Sequence, residues 1–169
     1  MITIQSYLYD NRLVVQLPTD PTIKTRDRNV YTRAITVYQG VDNILKLQVQ
    51  NQDQKPRDIT NYTLVFQIID DFVLANSNVV FQTTPVIANA AAGTARVLID
   101  QANVNLLERD MYKYSVSATY NDADFGNVTI PTYVDDNWGA TGQLLVRTSS
   151  FPDSSANNVN NPPPPSVAF

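Results

Sequence analysis

An all-β protein folded as an antiparallel β-sandwich is the architecture this sequence predicts, on three observations. Short runs of alternating apolar and polar residues recur along the chain. Clusters of Gly, Asn, Asp and Pro separate them, and the one helical stretch is only a turn or two long. Such runs are half-buried strands, because successive side chains on a strand point to opposite faces.

The pattern is plainest from Ala34 to Ile69. Three runs there are separated by Gly40-Val41-Asp42 and by Asn51 to Pro56, and they read as consecutive antiparallel strands. Leu45, Leu47 and Val49 share one face, and Lys46, Gln48 and Gln50 share the other. Tyr62, Leu64, Phe66 and Ile68 form the inner face of the next run. Val65 and Ile69 add apolar groups opposite, which predicts a central strand covered on both sides.

Taken from the start, Ile2 to Leu8 and Arg12 to Leu17 are expected to pair as a hairpin around Tyr9-Asp10-Asn11. A loop follows from Pro18 to Asn29, and the basic cluster Lys24, Arg26, Arg28 and Arg33 that begins in it has Asp20 and Asp27 interleaved, so a solvated segment is expected. After Ile69 a strand is expected over Ser77 to Thr83, then an irregular segment from Pro85 to Ala92, then a strand from Thr94 to Ile99. Asp100 is placed to cap a short helix over Gln101 to Glu108, with Val104 and Leu107 on its inner stripe. Met111 to Tyr120 alternates most cleanly of all, with Asn127 to Tyr133 as its hairpin partner and Gly142 to Thr148 as the closing strand. The domains expected are therefore a hairpin and loop over residues 1–30, a sandwich over 31–148, and a Pro/Asn-rich tail over 149–169.

Composition removes most chemistries. The 169 residues carry a net charge of −4 with 17% charged residues, so nothing favours nucleic acid or an anionic membrane as partner. There is no Cys, hence no disulfide or thiolate site, and no His, hence neither the commonest general base nor the commonest metal ligand. A single Glu, Glu108, leaves no pair of glutamates to flank a sugar, and no glycine-rich phosphate loop exists. The first residues lack a basic segment followed by an apolar one, and no run nears the length needed to span a bilayer, so a soluble protein is expected. Asp122-x-Asp124-x-Gly126 has the opening of a calcium loop, but Tyr133 stands where a bidentate Glu is required, and turn chemistry explains it better. No enzyme, cofactor or metal is expected.

Binding residues are the remaining candidates. Among Tyr112, Tyr114, Tyr133 and Trp138, the two strand tyrosines fall on the inner face, which leaves Trp138 in its loop as the candidate for stacking on a ligand or sugar. In the tail, Pro162, Pro163, Pro164 and Pro165 favour an extended polyproline conformation that docks with little ordering cost. Phe151, Pro152, Val167 and Phe169 supply apolar groups with no core of their own, so the tail is expected to contact a partner.

Ile35-Thr36-Val37-Tyr38-Gln39-Gly40, then Leu45 to Val49, then Gln54-Lys55-Pro56-Arg57-Asp58-Ile59-Thr60-Asn61-Tyr62 together resemble the N-terminal immunoglobulin-like domain of bacteriophage baseplate upper proteins. Arg109 to Tyr114 and Gly142 to Val146 continue the resemblance, which covers about Thr32 to Arg147. It departs at Gln54, Asn61 and Asp110, where that family carries glycine. The resemblance implies an immunoglobulin-like sandwich and a non-catalytic virion protein of the tail or baseplate. Such a protein is assembled in the host cytoplasm and docks to other virion subunits, and to copies of itself, through its surface and terminal arms. A capsid decoration or neck protein is the nearest alternative. A glycan-binding adhesion module around Trp138 is a more distant one.

Overall fold

The computed structural model describes residues 11–19, 34–70, 78–132 and 141–148. Within them run β1 (Arg12–Gln16), β2 (Ile35–Gln39), β3 (Asn43–Gln50), β4 (Tyr62–Ile69), β5 (Val79–Thr83), β6 (Val86–Asn89) and β7 (Thr94–Ile99). Then come α1 (Gln101–Asn105), β8 (Met111–Asp122), β9 (Gly126–Pro131) and β10 (Gly142–Thr148). One sheet has the order β1-β3-β7-β6 and the other β2-β10-β8-β4-β5, with β9 also on β8. The chain is an all-β sandwich. The partial orders β3-β7-β6 and β10-β8-β4-β5 match the B-E-D and G-F-C-C′ orders of a variable-type immunoglobulin domain.

Parity places the core. The first sheet contributes Leu13, Val15, Leu45, Leu47, Val49, Ala95, Val97 and Ile99. The second contributes Ile35, Val37, Leu64, Phe66, Ile68, Tyr112, Tyr114, Val116, Leu144 and Val146, all buried. Burying one such aliphatic or aromatic side chain is worth about 1.5–3 kcal/mol. Phe66 and Tyr114 stack at 5.9 Å between centroids. Tyr114 also faces Gly142 across the β8–β10 pair, and a Cβ at Gly142 would overlap its ring.

Pairing departs from the expected antiparallel scheme in two places. β1 runs parallel to β3, and β2 parallel to β10. The three runs between Ala34 and Ile69 do not pair with one another either, since β3 lies in one sheet and β2 and β4 in the other. β1 and β3 are separated along the chain by β2 in the other sheet, and β2 and β10 by most of the domain, so no hairpin joins either pair and nothing local fixes their relative direction. Alternation reports which face is buried and carries no information on direction or partner. β4 is internal to its sheet, as expected of a central strand.

Arg12–Gln16, expected in an N-terminal hairpin, is paired along its whole length with Arg12↔Lys46 through Gln16↔Gln50 of β3. Leu13, Val15 and Leu17 are buried in the sandwich core, so this strand packs with residues 34–148. Its expected partner, residues 2–8, lies outside the described residues. The segment expected to be irregular after Pro85 contains β6, and the helix stops at Asn105 with Leu106 as its C-cap. Asp100 caps that helix, its carboxylate accepting from the Asn103 amide at 2.8 Å, and Val104 and Leu107 are both buried.

β9 and β10 succeed each other along the same edge of β8, opposite β4. Where β9 ends, the Thr132 amide and hydroxyl both donate to the Val116 carbonyl, at 3.2 and 2.8 Å. This satisfies a core carbonyl that no strand reaches.

Candidate functional site

The sandwich has two distinct ends. At one, the β2–β3 turn, α1, the start of β8 and the end of β10 come together. Buried Asn43 closes the turn: its Oδ1 accepts from the Tyr38 amide, and its Nδ2 donates to the Tyr38 and Val41 carbonyls, all within 2.8–2.9 Å. The turn is tied to α1 by Gly40 N–H to Asn105 Oδ1 and Gln101 N–H to Asp42 Oδ1, both 2.8 Å. Arg109 Nε meets Asp70 Oδ2 at 2.9 Å on the same end.

This fixed frame carries exposed apolar side chains. Leu106 is 75% exposed, Ile44 60% and Leu98 53%; Ile44 and Leu98 are cross-strand partners on the outer face of their sheet. Tyr38 and Met111 are also exposed here. The chain leaves this end at Thr148, toward the tail residues proposed above as partner contacts. Those residues (Phe151, Pro152, Pro162, Pro163, Pro164, Pro165, Val167 and Phe169) lie outside the described residues, as does Trp138. Lys24, Arg26, Arg28 and Arg33 do too.

The opposite end carries a cleft with a largely polar lining, beside the exposed Phe125 of the β8–β9 turn. Tyr62 and Tyr120 are cross-strand partners on β4 and β8, with ring centroids 5.6 Å apart and planes inclined at 49°. Arg57 donates from Nη2 to the Tyr62 hydroxyl at 3.1 Å, and its Nε is buried without a hydrogen-bond partner. These three, with Asp58, Thr60, Asn61 and Asn121, line a cleft of about 340 Å³.

The cleft wall is held from behind. The Arg57 amide donates to the Val49 carbonyl and buried Ile59 to the Ala90 carbonyl, each at 3.0 Å. Gly93, at φ +64°, sits so close that a Cβ would overlap the Arg57 and Val49 carbonyl oxygens. Asp58 accepts from the Thr60 hydroxyl at 2.6 Å and the Thr60 amide at 2.9 Å. Those bonds, with Arg57 nearby, hold its carboxyl below the usual carboxylate range.

Tyr112 and Tyr114 are buried, as alternation required. Tyr62, the first residue of β4, and Tyr120, near the end of β8, are both half-buried where the sandwich opens. Asp122 Oδ1 accepts from the amides of Asp124 and Phe125 at 2.9 and 3.1 Å, so that carboxylate oxygen is engaged in the β8–β9 turn.

No family model matches this chain, and no curated protein does. A solved structure does resemble it: the N-terminal domain of phage TP901-1 ORF48, at TM-score 0.50 and 10% identity, over 82% of this chain and 98% of that one. The fold resembles that of a phage protein domain. At that identity the likeness concerns backbone architecture, and nearly the whole of the phage domain is spanned by it.

Proposed function

We propose that this protein is a non-catalytic structural subunit of a phage virion, part of the tail or baseplate, that docks to neighbouring subunits through the α1 end of the sandwich and the tail. The observation that carries this reading is the likeness to a phage protein domain across 98% of that domain's length. The resemblance of residues 32–147 to baseplate upper proteins supports the tail or baseplate in particular. The placement of Ile44, Leu98 and Leu106 on the end from which the tail departs supports the docking mode, because apolar groups held on a rigid frame lose little entropy on association.

Electron microscopy of purified phage particles labelled with an antibody to this chain tests the reading. Label at the tail tip is the expected outcome. Label at the head–tail junction or over the capsid would move the protein to the neck or decoration class, and unlabelled particles would remove it from the virion.

A further inference from the structure

We infer that the cleft between Arg57, Tyr62 and Tyr120 is a binding site for a neutral pyranose sugar, on the end of the domain opposite the docking surface. The inference stands whether or not the protein is a virion subunit, because it rests on the chemistry of the cleft alone. Arg57 has five N–H donors, and one of them is used, on the Tyr62 hydroxyl. Its Nε is buried and unsatisfied, out of reach of a ligand, so the donors that Arg57 can turn toward the cleft are those of its Nη groups. Asp58 places a carboxylate beside it, and Asn61 and Asn121 bring amides that both donate and accept.

That set discriminates among ligands. Cation and anion are adjacent and balance, so a carboxylate or phosphate attracted by Arg57 meets Asp58, and charge selects neither sign. A polyhydroxylated ring needs donors and acceptors mixed in this way around its rim. Its C–H face needs an apolar platform, which the Tyr120 ring offers at the cleft; the Tyr62 ring, tilted against it, lies under the Arg57 guanidinium at 5.8 Å from its centroid and fixes the position of that charge. About 340 Å³ lies at the small end of ligand clefts and suits a mono- or disaccharide. The walls are the connection between β3 and β4 and the end of β8, the end of the sandwich where variable immunoglobulin domains carry their binding loops.

Amide correlation spectra of the full chain, titrated with the neutral sugars methyl glucoside, methyl galactoside and N-acetylglucosamine and, separately, with glucuronate, test the inference. Saturable shifts confined to residues 57–62 and 120–121 are expected with at least one of the three. Tyr120→Ala and Asn121→Ala should each weaken binding by about tenfold while the rest of the spectrum stays in place. Asn121 is exposed at the end of β8, so its variant tests the site even if loss of Tyr120 perturbs folding. Three results would overturn the inference: no saturable shift with any of the sugars, equal binding by both variants, or selective binding of glucuronate over the neutral glycosides.

Discussion

Gln54 stands where the baseplate upper family carries glycine, and its backbone has the left-handed φ of +62° that a glycine would adopt without strain. The amide of Gln54 donates to the Asn51 carbonyl at 3.0 Å, and the Asn51 side chain accepts from Asp53 and Lys55, so the turn holds the strained residue in place. A Cβ in that conformation costs roughly 1–2 kcal/mol, less the extra chain entropy that glycine brings to the unfolded state. Gln54→Gly is therefore expected to raise stability by about 0.5–1 kcal/mol in chemical denaturation. Asn61, the other departure in that turn, does not have a positive φ, so the same substitution there is expected to give no such gain. Gly142 is the opposite case. The Tyr114 ring occupies the space a methyl group would need, and Gly142→Ala is expected to cost about 1–3 kcal/mol as the core overpacks.

Elements were legible where one face was buried and the other wet. The alternation in Thr94 to Ile99, Met111 to Tyr120 and Gly142 to Thr148 located β7, β8 and β10 because every inner position there is apolar. β6 was not legible, since all four of its residues are exposed and it has no buried face to leave a period. The parallel pairs β1–β3 and β2–β10 were hidden for another reason: their strands are not sequence neighbours in one sheet, so direction follows from the path of the whole chain and not from any local turn. The short helix was visible through its cap. Asp100→Ala is expected to cost about 1 kcal/mol, and because α1 is bonded to the β2–β3 turn, amide exchange should quicken at Gly40 as well as at Asn103. Leu106→Asp, on an exposed C-cap, is expected to leave stability within about 0.5 kcal/mol of the parent while removing apolar surface from the docking end.

At the scale of the molecule, a cluster of exposed apolar side chains and a polar-lined cleft lie at opposite ends of the sandwich, with Phe125 exposed beside the cleft. One end gathers Tyr38, Ile44, Leu98, Leu106 and Met111 around the point where β10 ends. The other holds a polar cleft between β3–β4 and β8. The sequence pointed to the tail as a partner contact, which lies outside the described residues, and did not signal the first. It did not signal the second, because Arg57, Tyr62 and Tyr120 are separated along the chain and meet only once β4 pairs with β8 in register. The pairing of the proposed roles with the two ends follows from this division: attachment at the apolar end leaves the cleft facing outward.

The most direct test of attachment is the copy number of this chain in density-purified phage particles. Full-length protein, protein ending at Ser150 and the Ile44→Asp/Leu106→Asp double variant would be supplied in turn to a phage lacking its own copy. Full occupancy for the parent, with loss in both altered chains while their thermal unfolding in solution is unchanged, is the expected result. Full occupancy by the truncated or the doubly substituted chain would contradict docking through this end of the molecule.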